Sequence, residues 1–159
     1  MAVSAEGGCT CRRVRFRLTA APLIVHGCHC TWCQRETGSA FAINVLIERA
    51  CLEVLAGEPE TVPTPSASGK GQDILRCPAC KVALWSHYAD AGPSIAFVRA
   101  GTLDAPAQFP PDIHIFTESK HPWLQLPPGS SSVPEFYNPR QVWSPETLAR
   151  YKAAQQRRT

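Results

Sequence analysis

Seven of the eight cysteines in this 159-residue chain fall into three short clusters: Cys9-Thr10-Cys11, Cys28-His29-Cys30-Thr31-Trp32-Cys33 and Cys77-Pro78-Ala79-Cys80. Cysteines two or three residues apart can turn their sulfurs toward one point, as a tetrahedral thiolate site for zinc requires. An even cysteine count also permits disulfides. The first eight residues carry neither the basic nor the apolar stretch of an export signal. The expected setting is therefore a reducing, cytoplasmic one, where disulfides rarely persist, and zinc is the expected use of these thiols.

Structural zinc sites close with four protein ligands, whereas catalytic ones use three and keep a position open. Cys77 and Cys80 need two partners from elsewhere, and Cys9 and Cys11 offer two. These four would make a closed site that pins the N-terminal segment to the middle of the chain. Cys28, Cys30 and Cys33 would then hold a second zinc with one position free. Spacing leaves other pairings open, because Cys51, His114 or another histidine can close the trio into a second structural site. Cys51 sits in the apolar stretch Arg49–Leu55 and reads as a small buried hydrophobe. His29, wedged between two ligands, is expected to point away from their ion.

Fifteen prolines and ten glycines indicate short strands joined by turns rather than long helices. Residues 13–18 alternate, with Val14, Phe16 and Leu18 facing one way and Arg13, Arg15 and Arg17 the other, as in a half-buried strand. The arginine row reads as a solvated face, with anion binding as its alternative. Further strands are expected at 23–26, 40–47, 51–55, 74–77, 82–87, 94–99 and 114–116. A helical turn is expected at 34–38, a turn at 101–104, and loops at 61–71 and 127–134. Ser144 before Pro145, with Glu146 next, predicts a helix over about 144–155 and a frayed tail. These signals describe a single, mainly β domain over 1–159, with a core of about 7–125 and a C-terminal extension. No apolar run is long enough for a membrane span. The formal charge of +3 does not call for a nucleic-acid partner, and two thiolate-rich zinc sites would offset it.

The run from Cys28 to Ser39 resembles the signature of the glutathione-dependent formaldehyde-activating enzyme family. Gly8-Cys9-x-Cys11, Cys77-x-x-Cys80, Arg99–Asp104 and His114–Trp123 follow in the same order, so the resemblance extends from about Gly7 to Trp123. It implies an Mss4-like fold of coiled antiparallel sheets stapled by zinc, with a short C-terminal helix. It also implies two zinc ions per chain, a structural one at Cys9, Cys11, Cys77 and Cys80 and a catalytic one at Cys28, Cys30 and Cys33. One departure is Lys81, where such knuckles carry glycine. The implied activity joins formaldehyde to glutathione as S-hydroxymethylglutathione, a carbon–sulfur lyase reaction run in reverse. A three-thiolate zinc suits it, being a weak Lewis acid that takes a soft fourth ligand.

Around that centre, His114 is a candidate proton shuttle, with a satisfied core histidine as the alternative. Arg35, Lys120 and one of the three arginines on the strand face are candidates for holding substrate carboxylates. Ser119 is a candidate hydrogen-bond donor or turn cap, and Trp32 and Trp123 are candidate pocket walls. The implied partner is a small thiol such as glutathione, with a homo-oligomer compatible and no membrane required. The competing reading is a non-catalytic, zinc-stapled protein-interaction module. Nucleic-acid binding by the knuckles has no support from charge or aromatic interleaving.

Overall fold

A computed structural model describes residues 4–157. The described residues form ten strands: β1 (Ala5–Gly8), β2 (Arg15–Leu18), β3 (Ile24–Cys28), β4 (Ala42–Glu48), β5 (Leu52–Ala56), β6 (Glu60–Thr64), β7 (Gln72–Arg76), β8 (Ala83–Tyr88), β9 (Ile95–Arg99) and β10 (Ile113–Ile115). They make a three-stranded sheet, β1-β2-β5, and a seven-stranded sheet, β10-β3-β4-β9-β8-β7-β6. The chain is thus mainly β, as its short alternating segments require. Hairpin neighbours run antiparallel, but β10 lies parallel to β3, with Ile115 opposite Cys28. The connection from β3 to β10 is long enough to return in either direction, so a purely antiparallel arrangement is not enforced.

The strands β3, β4 and β9 of the large sheet are buried on both faces. Val45 and Ile47 of β4 and Ala96 and Val98 of β9 face the small sheet and join Val14, Phe16 and Leu18 in one core. Phe16 meets Trp85 edge-on, with ring centroids 5.6 Å apart, which ties the two sheets together. The alternate residues of the same strands, among them Leu46 and Ile95, face a second core with Tyr137, Trp143 and Ala154 of the C-terminal segment. A strand covered on both faces needs apolar residues at successive positions, which is why β3 is buried throughout.

Three helices complete the described chain: α1 (Thr31–Thr37), α2 (Pro139–Val142) and α3 (Pro145–Gln156). The Ser144 side chain accepts from the Thr147 N–H at 3.1 Å, so the expected cap is in place. The helix holds through Gln156, one residue past the expected start of fraying. Arg150 clamps it to β4 with two 2.8 Å bonds to the Glu48 carboxylate. The expected turn at 34–38 is part of a seven-residue helix that begins earlier, because Cys30 rather than a usual capping residue starts it. The expected loop at 61–71 is shorter: Glu60–Thr64 forms the edge strand β6, paired with β7. Pro63 is tolerated there because an edge strand has one side without ladder bonds. β1 and α2 have no counterpart in the sequence-based expectations.

The arginines on β2 are consumed by neighbours. Arg15 reaches Asp104 at 2.9 Å, and Arg17 reaches Glu6 at 2.6 Å and Glu53 at 3.6 Å. They form a paired outer face rather than a substrate site. The Arg17 guanidinium holds the Glu6 carboxyl below its usual range, and Arg15 does the same for Asp104. Depressed carboxyl values stabilise the fold above the unfolded pKa of about 4, and that contribution fades as pH falls through the lower folded values. Arg15→Gln is therefore expected to flatten the acid limb of stability against pH, read by equilibrium unfolding from neutral pH downward. Phe16→Ala is expected to cost about 3–5 kcal/mol in the same measurement, since the ring is fully buried at the joint between the sheets.

Candidate metal centres and the adjoining cavity

Two tight turns bring four sulfurs together. At each, a backbone bond closes the loop: Cys9 N–H donates to Val14 O at 3.1 Å, and Cys77 N–H donates to Val82 O at 3.0 Å. Each turn has a residue in the left-handed region, Arg12 at φ 61° and Lys81 at φ 63°. Lys81 thus adopts the conformation that glycine takes more cheaply, at a cost of roughly 1–2 kcal/mol. Its ammonium pairs with Glu60 at 2.7 Å. Cys9 and Cys11 sulfurs lie 3.5 Å apart and Cys11 and Cys77 sulfurs 3.6 Å, with Cys80 completing a set within 4.8 Å of one another. Sulfurs at 2.3 Å from a tetrahedral zinc would stand about 3.8 Å apart, so the donor set fits that ion. All eight cysteines are free thiols.

The second group forms where β3 runs into α1. Cys28 ends the strand, Cys30 caps the helix, and Cys33 lies one turn on, its N–H donating to Cys30 Sγ at 3.3 Å. The three sulfurs also lie within 4.8 Å of one another. Among the described residues, no fourth Cys, His, Asp or Glu atom joins them within that distance. Closure by Cys51 or His114 is therefore not realised. Cys51 sits in a short 3-10 turn against the first core. Contacts from Cys28 and Cys33 pull the Cys30 thiol below its ordinary value, and the same crowding pushes Cys28 far up. Three such sulfurs ionise together when a cation shares the space, and soft thiolates suit zinc.

The trio also lines a cavity of about 450 Å³. Asn44 and Leu46 of β4 and Phe97 and Arg99 of β9 line it too. Tyr88 of β8 and Phe136 and Trp143 of the C-terminal segment complete this part of the lining. Burial, followed by the charge of Cys33, pushes the Tyr88 hydroxyl well above its usual pKa, so it stays an O–H donor. Arg99 is only 7% exposed and donates from Nη1 to Asn44 Oδ1, while its Nε has no partner. The segment from Tyr137 to Trp143 is anchored to β3. Trp143 Nε1 donates to the Tyr137 hydroxyl at 2.7 Å, and that hydroxyl lies 2.5 Å from His26 Nε2. Burial lowers His26 to about 4, so the ring is neutral and Nε2 can accept from Tyr137.

The other expected site residues lie elsewhere. His114 projects from the face of β10 opposite Ile115, which lines the cavity. Its Nδ1 lies 2.9 Å from His29 Nε2, and both rings are held neutral, chiefly by burial. His29 stacks on Phe41 at 4.7 Å, so it does point away from its flanking sulfurs. Gly27 lies under the His114 ring, and a Cβ there would come within 2.6 Å of Nδ1. Ser119 joins this group through its carbonyl, which accepts from Gln34 Nε2 at 3.0 Å. The Lys120 ammonium is bound to two backbone carbonyls, those of His121 and Leu124. Trp123 is 68% exposed and stacks on His121, and Arg35 is exposed on α1. None of His114, Arg35, Ser119, Lys120 or Trp123 lines the cavity, whereas Trp32 does. Tyr88, Arg99 and the C-terminal aromatics escape sequence reasoning. A tyrosine or arginine at a strand end carries no spacing signal, and the aromatics are far from the cysteines in sequence.

A family model described as glutathione-dependent formaldehyde-activating enzyme matches residues 4–119. No curated protein matches the chain. A crystal structure of a Rhodobacter sphaeroides protein is similar at 17% identity and a TM-score of 0.46, covering 62% of this chain and 87% of that one. Among the described residues, no helix is long and apolar enough to cross a membrane.

The two sulfur groups differ in what they join, so their loss should differ. Cys77→Ser breaks the junction between distant turns and is expected to lower metal content and unfold the chain. Cys30→Ser is expected to lose one metal equivalent and keep a cooperative unfolding transition. Elemental analysis alongside thermal unfolding checks both, and equal collapse would mean that both groups are structural.

Proposed function

The chain belongs to the glutathione-dependent formaldehyde-activating enzyme family, and on that premise we propose that it is a zinc-dependent carbon–sulfur lyase acting on a thiol–aldehyde adduct. S-hydroxymethylglutathione, the family's adduct, is the reference substrate. The observation that carries this reading is the three-cysteine group, with no fourth Cys, His, Asp or Glu ligand among the described residues, lining a cavity. Zinc held there by Cys28, Cys30 and Cys33 would favour the deprotonated form of an incoming thiol and orient its sulfur.

The bond changes are redox-neutral. In the forward direction the thiol loses its proton and sulfur bonds to the aldehyde carbon. The carbonyl π pair moves to oxygen, which takes a proton. Cleavage is the reverse. The developing charge on oxygen needs a donor, and the Tyr88 hydroxyl, kept protonated by burial beside the trio, is the residue we assign to it. Phe97 and Trp143 keep water from the reacting atoms. His114, hydrogen-bonded to His29 on the other face of β10, acts through position: the pair holds the segment between Cys28 and Cys30. Seven cysteines gathered in two metal-ligand groups fit a reducing, cytoplasmic setting. The burial of Tyr137, Trp143 and Ala154 against the large sheet supports treating 1–159 as one domain with a C-terminal extension.

A cobalt-substituted sample titrated with glutathione and simpler thiols tests the proposal through its visible absorption. Thiol should perturb one of two cobalt centres, and Cys30→Ser should abolish the change. Two centres that ignore every thiol would overturn the lyase reading and leave a zinc-stapled interaction module. Tyr88→Phe is expected to lower kcat by about a hundredfold with little change in KM, as for loss of one oxyanion donor.

A further inference from the structure

The cavity's chemistry is poorly matched to a tripeptide thiol. Glutathione carries two carboxylates and an ammonium, so its burial calls for at least two cationic groups and an acidic one. The cavity lining offers one guanidinium, that of Arg99. Its lining carboxylates are already engaged, Glu36 with Arg76 and Asp90 with Lys70. The remaining wall is dominated by Leu46, Phe97, Ile115, Phe136 and Trp143. Its volume is within the range of small-molecule sites, about 300–1,000 Å³.

Two features make this wall a built one. Part of its aromatic side, Phe136, Trp143 and Tyr151, lies beyond the stretch 4–119 that the family model matches. That side is fixed in place by the Trp143–Tyr137–His26 chain and by the Arg150–Glu48 clamp. Arg99 adds the polar element. It forms no ion pair with a carboxylate among the described residues and no hydrogen bond to a sulfur, and its buried Nε has no acceptor. Arg99 lies within electrostatic reach of Cys33, and its buried, unpartnered Nε can still receive an anion from outside the chain.

We infer, building on the lyase reading above, that the adduct taken by this site has an apolar, ring-sized body and a single anionic group, the body lying against Phe97, Phe136 and Trp143 and the anion on Arg99. The C-terminal segment is then this chain's specificity element. It converts a site for thiol–aldehyde chemistry into one for arylalkyl or alicyclic substrates.

The test is binding to the zinc-loaded full chain, read by calorimetry and by quenching of tryptophan fluorescence, since Trp32 and Trp143 both line the cavity. The probes are 2-benzyl-3-mercaptopropanoate, with a ring and one carboxylate, the neutral 2-phenylethanethiol, and glutathione. The benzyl compound should bind at least about tenfold more tightly than glutathione, as burial of a ring together with one charge-assisted contact predicts. Arg99→Gln should erase its advantage over phenylethanethiol and leave the neutral thiol within about twofold, while Arg99→Lys should keep part of it. Phe136→Lys, at a half-exposed position that tolerates change, should narrow the ratio between the benzyl compound and glutathione. Glutathione binding as tightly as the benzyl compound would overturn the substrate class and leave the lyase reading standing. So would an Arg99→Gln effect equal for charged and neutral thiols. Failure of every thiol to bind would remove both.

Discussion

Cys9 and Cys11 meet Cys77 and Cys80 across 66 residues of sequence, and the rest of the architecture is hung on that junction. Closing a loop of that length costs chain entropy, which a site for four thiolates and one cation offsets in a single step. The junction sets the start of β2 beside the β7–β8 hairpin. Phe16 on the small sheet can then meet Trp85 on the large one. The first core follows from this contact, with Val45, Ile47, Ala96 and Val98 filling the space between the sheets.

With one face of the large sheet spent on the small sheet, the period-two alternation of β4 and β9 commits the other residues to the opposite face. There the chain puts Asn44 and Arg99 among apolar neighbours, at the end of the sheet where Cys28, Cys30 and Cys33 gather. The same geometric rule that builds the core therefore builds the cavity. The C-terminal segment closes it, held by Arg150 on Glu48 and by Trp143 and Tyr137 beneath His26. The sulfur trio and the C-terminal residues of the cavity wall come from different parts of the chain, so the wall can change without disturbing the sulfurs.

Much of this was legible from residues alone. The cysteine spacings marked two pairs and a trio and suggested four sulfurs against three while leaving other pairings open, since a ligand pair two or three residues apart is a local property and its partner pair is not. The eight expected strands lie within about two residues of the observed bounds. Less legible was β6, where Pro63 and its neighbours read as loop until the edge of a sheet gave them a partner. For His114 the residues alone left a proton shuttle and a satisfied core histidine both open, and the facing of one strand turns its ring onto Gly27 and His29.

The sequence by itself determined most of the strands, the Cys28, Cys30 and Cys33 trio and the capped helix at Ser144, because each rests on contacts between residues close along the chain. Tertiary structure alone decided that β10 runs parallel to β3, that the β2 arginines pair with Glu6, Glu53 and Asp104, and that Arg99 and Tyr88 share a cavity with the trio. Those outcomes depend on which face of each strand meets which neighbour across long separations. That choice is made by packing two sheets and a C-terminal segment together, and no local pattern encodes it.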